Sequence, residues 1–109
     1  MALSAYRSVW LFALFDLPVD TRESRKQYAQ FRKKLLDKGF TMLQFSVYAK
    51  HFATEDGADS TRNAVRDVLP PRGQVRLLTI TDHQFGRMEV YAGKKREKTE
   101  NPPMQFALF

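Results

Sequence analysis

One carboxylate is a candidate for chemistry because it closes an uninterrupted apolar run. Seven apolar residues, Val9–Phe15, lead directly into Asp16, and Pro18 follows two residues later. A lone carboxylate is costly to bury, so we expect Asp16 at the rim of the fold. There it either caps the turn of residues 17–19 or binds a cation. Carboxylate oxygens suit Mg²⁺, and a bound Mg²⁺ polarises phosphates and activates water.

Basic residues form the second group that could bind a ligand. The chain has 18 Lys and Arg against 12 Asp and Glu, a formal net charge of +6, and such a surface favours polyanions. The first predicted helix extends to Asp37, and five cations lie on or beside one stripe of it: Arg22, Arg25, Lys26, Arg32 and Lys33. This stripe is either a solvated helix face or a surface that contacts nucleic-acid phosphates.

Residue types exclude several other chemistries. Cysteine is absent, so there is no disulfide, thiol nucleophile or cysteine metal site. His51 and His83 are isolated, and we interpret them as structural or surface residues. No apolar stretch approaches the roughly 18 residues that span a bilayer, and the N-terminus lacks the regions of a secretory signal. We therefore expect a cytoplasmic protein with no membrane partner.

The elements around Asp16 follow from the spacing of apolar residues. The run that ends at Asp16 predicts a strand buried on both faces. Asp20 or Thr21 can cap the helix that follows, in which apolar residues recur at helical intervals. Residues 40–50 change the phase of their alternation near Leu43, which indicates either one bulged strand or two short strands.

The second half of the chain predicts one helix and two strands. Residues 53–60 are small, polar and acidic and predict a loop, whereas Thr61–Leu69 has the periodicity of a short helix. Gln74–Thr81 predicts a strand, Asp82–Gly86 a turn, and residues 88–92 a strand that completes a hairpin. This order of elements predicts an α+β, ferredoxin-like (βαββαβ) sandwich.

Two helices can cover only one face of such a sheet, although both faces of its first strand are apolar. Trp10, Phe12 and Leu14 point to the same side of that strand. A second copy of the chain is the economical cover for this side, so we expect a symmetric homodimer. Asp16 has the parity of Leu14, and the dimer would bring two copies of Asp16 together. Facing carboxylates repel unless a proton or a divalent cation such as Mg²⁺ lies between them.

The C-terminal residues differ in composition from the rest of the chain. We assign residues 1–93 to the ferredoxin-like domain, and residues 94–109 to a tether with an apolar end. The tether begins with the basic segment Lys94–Lys98, which we expect to be exposed. The apolar end needs a dock, and we expect it to add a strand to the sheet of the partner protomer. Its large side chains include Phe106, Leu108 and Phe109.

Four segments carry motifs in a fixed order along the chain. They are the strand ending in Phe15-Asp16-Leu17-Pro18, the helical Tyr28-x-x-Phe31-Arg32-Lys33, the segment Gly39–Tyr48, and the segment Leu78–Gly86. Together they resemble the CRISPR-associated (Cas) protein 2 family over about residues 9–93. The last two segments are most similar to members that accompany type II systems.

This resemblance implies a homodimer that exchanges C-terminal strands and works with the CRISPR integrase (Cas protein 1 family) in capturing new spacers. In that role the dimer bridges two integrase dimers, and its basic surface supports duplex DNA. Some members are metal-dependent endonucleases acting on RNA or DNA, and their magnesium ligand is the aspartate that matches Asp16. The residues that would position the backbone here are Arg7, Lys50 and the five helix cations.

Three functions follow from these observations. An architectural subunit of spacer integration needs the dimer, the tail and the basic surface, but not Asp16. A magnesium-dependent nuclease needs Asp16, although one carboxylate per protomer is few for a two-metal phosphodiesterase. A stand-alone ribonuclease of the virulence-associated toxin type, which resembles this family in fold, is the third. We prefer the adaptation subunit.

Overall fold

An antiparallel sheet of four strands forms the centre of the molecule. The computed structural model describes residues 7–102. The strand order is β2-β3-β1-β4, with β1 antiparallel to both of its neighbours, which confirms the ferredoxin-like prediction. The elements are β1 (Val9–Asp16), α1 (Arg22–Asp37), β2 (Thr41–Gln44), β3 (Val47–Phe52), α2 (Glu55–Arg66), β4 (Gln74–Thr81), α3 (Asp82–Gly86), β5 (Val90–Ala92) and β6 (Lys95–Glu97).

A reciprocal side-chain cap sets the start of α1. Thr21, rather than Asp20, is the cap residue, because its hydroxyl accepts a hydrogen bond from the N–H of Ser24. The Ser24 hydroxyl in turn accepts from the N–H of Thr21. Asp20 accepts a hydrogen bond from the Ser24 hydroxyl and so supports the cap from outside.

The second helix corrects two predictions, a loop over residues 53–60 and a helix limited to Thr61–Leu69. It spans Glu55–Arg66, because Thr54 caps its first turn by accepting a hydrogen bond from the N–H of Gly57. Acidic residues favour the N-terminal turn of a helix. The polar, acidic composition of this segment therefore marks the start of a helix.

The segment with the phase change forms two strands that pair as a hairpin. β2 and β3 are joined by a turn at Phe45 and Ser46. Their register also shifts between Met42 and Gln44. The sequence pattern thus reflects both a turn and an irregular pairing, so each of the two alternatives was partly right.

The predicted hairpin between Gln74–Thr81 and residues 88–92 is wrong. Asp82–Gly86 forms the short helix α3, because the Thr81 hydroxyl accepts a hydrogen bond from the N–H of Gln84. β5 then pairs with β6 in a separate sheet of two strands. The basic tether therefore contains a strand, β6, and all three of its residues are exposed, as expected.

The main core lies between the sheet and the two long helices. Phe31 and Leu35 of α1 and Ala58 and Val65 of α2 belong to this core cluster. The side of β1 that faces them is the helix-covered face, which consists of Val9, Leu11, Ala13 and Phe15. All four residues are buried.

The other side of β1 was expected to lack a cover within the chain, and this expectation needs correction. The Phe85 ring of α3 stacks on Trp10 at a centroid distance of 3.8 Å and lies 5.9 Å from the ring of Phe12. Trp10 and Phe12 are therefore buried, whereas Leu14, near the end of the strand, is only half-buried. The third helix covers one end of this side and leaves the other end open.

No helix within residues 7–102 is long and apolar enough to cross a membrane. The expected C-terminal strand, with Phe106, Leu108 and Phe109, lies outside the described residues. Within the described range β4 is an edge strand of the four-stranded sheet, and β1 is its one partner.

Candidate metal and nucleic-acid site

Asp16 is the last residue of β1, and it is exposed. It pairs with Gln74 at the start of β4. Gly73 makes this close pairing possible: its φ is +91°, and a Cβ there would lie 2.7 Å from the Asp16 carbonyl oxygen. Among residues 7–102, no side-chain hydrogen bond involves the Asp16 carboxylate. The turn-capping alternative is therefore not realised, and the carboxylate faces solvent.

The structure adds Arg76 to this site, a residue that sequence reasoning missed. Arg76 pairs with Leu14, so its side chain lies on the same side of the sheet as Asp16. These three residues, with Phe15 and Gln74, line a shallow depression of about 210 Å³. A guanidinium close to a carboxylate can bind the phosphate of a metal-bound nucleic acid. The sequence shows polar residues alternating in β4, but only the strand register places them beside Asp16.

The Asp16 carboxylate offers hard oxygen donors of the kind that Mg²⁺ binds. Within the described part of the chain, no three His, Cys, Asp or Glu side chains lie close enough together to hold a metal ion. Mg²⁺ keeps several waters and is often held by only one or two carboxylates. The exposed Asp16 carboxylate can supply one such ligand, and a closed cage of protein ligands is absent from the described residues.

Apolar side chains on the same side of the sheet as Asp16 stay partly accessible. Leu78 pairs with Phe12 and is 50% exposed. It belongs to the open patch, which consists of Leu14, Leu43, Val47 and Leu78. Of the predicted dimer contacts, Trp10 and Phe12 are buried beneath α3, and Leu14 belongs to the open patch. An apolar patch rimmed by charged residues is typical of an interaction surface.

Most of the predicted nucleic-acid residues lie on α1. Lys33 is exposed, but its Nζ pairs with Asp37 at 2.9 Å. Because α1 starts just after β1 ends, its first two turns lie at the Asp16 end of the sheet. The exposed cations of α1 other than Lys33 include Arg22, Arg25, Lys26 and Arg32.

Lys50 and Arg7 lie away from Asp16. The Lys50 ammonium donates to the Lys38 carbonyl at 2.8 Å and lies 5.0 Å from the centroid of the Phe52 ring. It therefore satisfies a carbonyl at the C-terminal end of α1. Arg7 precedes β1 and lines a surface depression with residues of α3. The structure does not bring these two cations together with Asp16.

A cluster at the opposite end of β1 explains His51. The Trp10 indole N–H donates to the Asp82 carboxylate at 2.9 Å, and the buried His51 ring lies edge-on to Trp10, with centroids 5.2 Å apart. Burial lowers the pKa of His51 below its ordinary value of 6.5, and the Asp82 carboxylate partly offsets this effect. The contacts of His51 agree with the structural role predicted for it, and the cluster ties α3 to β1.

The sheet order and the two covering helices define a ferredoxin-like α+β fold. Its first strand ends in an exposed carboxylate, and the helix that follows begins with exposed cations. A family model described as CRISPR associated protein Cas2 matches residues 9–88. The chain belongs to this family, and the resemblance seen in the sequence motifs is confirmed.

Full-length relatives support the same assignment. A protein of Parvibaculum lavamentivorans named CRISPR-associated endoribonuclease Cas2 is 52% identical over 101 residues, which cover 93% of this chain and 100% of the relative. A protein of Flavobacterium psychrophilum with the same name is 46% identical over 98% of this chain and 93% of its own length. A third, from Paracidovorax avenae, is 39% identical over 98% of this chain and 99% of its own.

Proposed function

We propose that the chain is a dimeric, nucleic-acid-binding subunit of CRISPR spacer acquisition, with a magnesium-dependent nuclease site at its dimer seam. The observation that carries this proposal is the position of Asp16. Its carboxylate is exposed beside Arg76 at the rim of the open patch. A two-fold contact through that patch would bury its apolar side chains.

Such a contact would also bring the two copies of Asp16 towards each other. Two carboxylates in one site repel unless a proton or cation lies between them, and two carboxylates with waters suit Mg²⁺. When bound, Mg²⁺ polarises a phosphate and lowers the pKa of a water molecule. The Arg76 guanidinium would hold a neighbouring phosphate oxygen, and the cations at the start of α1 would position the backbone without reading its sequence.

The named relatives support the nuclease part of the proposal, since their names describe them as endoribonucleases. The family resemblance supports the adaptation part, in which the dimer bridges two integrase dimers and its basic surface carries duplex DNA. We therefore propose DNA as the nucleic acid of the adaptation role and RNA as that of the cleavage role.

Replacing the carboxylate separates these two roles. Asp16→Ala should lower the rate of magnesium-dependent RNA cleavage by at least the roughly 10- to 100-fold that loss of an outer-shell partner causes, because it removes a direct metal ligand. It should leave duplex binding and spacer uptake intact. Asp56→Ala is the matched control, since Asp56 is an exposed carboxylate on α2. Loss of spacer uptake by a folded Asp16→Ala dimer would contradict a purely architectural role, and unchanged cleavage would contradict the metal site.

A charge in the open patch tests the dimer. Leu78→Glu would bury a carboxylate in the contact, which is strongly unfavourable without a partner charge. Sedimentation should show a monomer for this variant and a dimer for the natural chain. Leu69→Glu is the control, because Leu69 is similarly exposed, at 46%, but follows α2. A wild-type monomer, or a Leu78→Glu dimer, would contradict the proposed contact.

Removal of the apolar tail tests its proposed role in assembly. A chain truncated after Pro103 should form a weaker dimer or bind the integrase more weakly, because Phe106, Leu108 and Phe109 are lost. Gel filtration and an integrase pull-down report the two effects. An unchanged elution volume together with unchanged integrase binding would refute this role.

A further inference from the structure

We propose that Phe45 and Tyr28 form a stacking site for an unpaired nucleobase at the turn between β2 and β3. This inference rests on the proposed nucleic-acid function and adds a feature of the substrate to it. The bound nucleic acid would carry unpaired bases next to the part of its backbone held by α1.

Phe45 has the largest exposed fraction among the large apolar side chains of the described residues, at 76%. Its ring nevertheless has a defined orientation, because it stacks on Tyr28 with centroids 5.6 Å apart and an angle of 15° between the planes. With Tyr28 on one face and most of the ring exposed, the other face of Phe45 is open to solvent. An exposed aromatic face is a surface on which any base can stack.

The turn that carries Phe45 is held in a fixed conformation. Ser46 has a φ of 63°, in the left-handed region that residues other than glycine rarely adopt. Its carbonyl accepts a hydrogen bond from the N–H of Phe15 at 3.1 Å, and its hydroxyl lies 2.9 Å from the Tyr28 hydroxyl. Tyr28 also packs against the buried ring of Phe15. The stacking surface is therefore preorganised, which lowers the entropy cost of binding.

The cations around the two rings favour nucleic acid over a protein partner. Arg25 and Arg32 are exposed and lie three residues before and four residues after Tyr28, which places them on the same side of α1. The Arg25 guanidinium donates to the Val19 carbonyl at 3.2 Å, which orients it near the start of the helix. An aromatic surface flanked by cations is typical of sites that bind single-stranded nucleic acid.

The position of the turn relates the stacking site to Asp16. Because the N–H of Phe15 bonds to Ser46, the turn lies beside the end of β1, one residue before the candidate metal ligand. Phe45 packs on α1, whereas the open patch lies on the other side of the sheet. A second copy bound to the open patch would therefore leave Phe45 accessible.

Binding of three DNA probes tests the inference. The first is a blunt duplex of about 20 base pairs, the second carries unpaired ends of about five thymidines, and the third carries ends of the same length without bases. The natural chain should bind thymidine ends about 5- to 100-fold more tightly than abasic ends, which is the contribution expected from stacked bases. Phe45→Ala should lose this difference and keep the same Kd for the blunt duplex.

Two further variants complete the test. Phe45→Trp keeps an aromatic face and should retain the preference for thymidine ends. Leu69→Ala removes a comparably exposed apolar side chain elsewhere and should change nothing. Thermal unfolding of each variant reports whether the fold is intact. Even where Phe45→Ala does not fold, equal affinity of the natural chain for thymidine and abasic ends would overturn the stacking site.

The outcomes distinguish failure of the stacking site from failure of the proposed function. Equal affinity of the natural chain for thymidine and abasic ends, with the duplex still bound, would overturn the stacking site alone. A Phe45→Ala variant that keeps the preference for thymidine ends would also overturn the stacking site. If that variant loses only integrase binding, the turn is a protein contact instead. Failure to bind any of the probes would defeat the nucleic-acid function and the stacking site together.

Discussion

The two sides of β1 are built from the same kinds of residue but end in different environments. On the helix-covered face, Leu11 and Ala13 are fully buried beneath α1 and α2. On the opposite side burial reaches Trp10 and Phe12 and then fades at Leu14. One side of the strand thus forms a complete core, and the other ends as the open patch.

The lengths of the covering helices explain this difference. α1 has 16 residues and α2 has 12, whereas α3 has only five. A helix of five residues is about 7.5 Å long, while the eight residues of β1 extend over about 26 Å. The third helix can therefore cover only the Trp10 end. The uncovered end carries Asp16. The helix-covered side of β1 therefore forms the main core, and the opposite side carries the candidate site.

The largest expected effect tests whether the helix-covered side of β1 contributes more to the free energy of unfolding than the open patch does. Leu11→Ala removes a fully buried side chain and should lower the free energy of unfolding by about 2–5 kcal/mol. Leu78→Ala removes a half-exposed side chain and should cost less than about 1 kcal/mol in a dilute, monomeric sample. Denaturant unfolding measures both. Equal costs would mean that the open patch belongs to the core of the single chain.

The link between α3 and β1 carries the next largest effect. Asp82→Ala removes the acceptor of the Trp10 indole N–H and should cost about 1.5–3 kcal/mol, towards the lower value because Asp82 is partly exposed. Asp82→Asn keeps an acceptor oxygen and should restore much of the loss. Trp10 is the only tryptophan, so its fluorescence reports this contact. An Asp82→Ala variant with unchanged stability and emission would show that α3 is held without this hydrogen bond.

Local patterns predicted the strands better than the connections between them. The apolar run before Asp16 defined both sides of β1, and alternation gave β4 with its correct ends. The short helix α3 was predicted as a turn because five residues are too few to show a helical period, and its cap at Thr81 was overlooked. Arg76 was missed for a different reason: its proximity to Asp16 depends on strand register, which a single strand does not encode.

A pH effect distinguishes the Trp10 end of β1 from the Asp16 end. Burial lowers the pKa of His51 below 6.5, so the folded state binds fewer protons than the unfolded state. The contribution of His51 to stability is therefore complete above about pH 6.5 and is lost as the pH falls towards its folded pKa. Unfolding measured at about pH 7.5 and 5.5 should show this loss, and His51→Gln should remove it. A loss that is unchanged in His51→Gln would assign the titration to another group.

The effect of Asp82 on the pKa of His51 gives a second comparison. Asp82 raises the pKa of His51 against the effect of burial. Without this carboxylate the folded state would take up a proton at His51 even less readily. Asp82→Asn should therefore lose more stability between the two pH values than the natural chain does. A smaller loss in Asp82→Asn would show that the carboxylate does not act on His51 in this way.

The smallest effect concerns the turn between β2 and β3 at the Asp16 end of the sheet. There Tyr28 of α1 stacks on the exposed ring of Phe45. Tyr28→Phe removes the hydroxyl contact with Ser46 and should cost about 0.5–1.5 kcal/mol in the free energy of unfolding. Ser46→Ala should cost a similar amount, and the double variant should cost little more than either single variant, because both remove the same hydrogen bond. Denaturant unfolding of the three variants gives this coupling. Additive costs would mean that the two hydroxyl groups act separately, and that the left-handed turn is held by its backbone hydrogen bond to β1 rather than by α1.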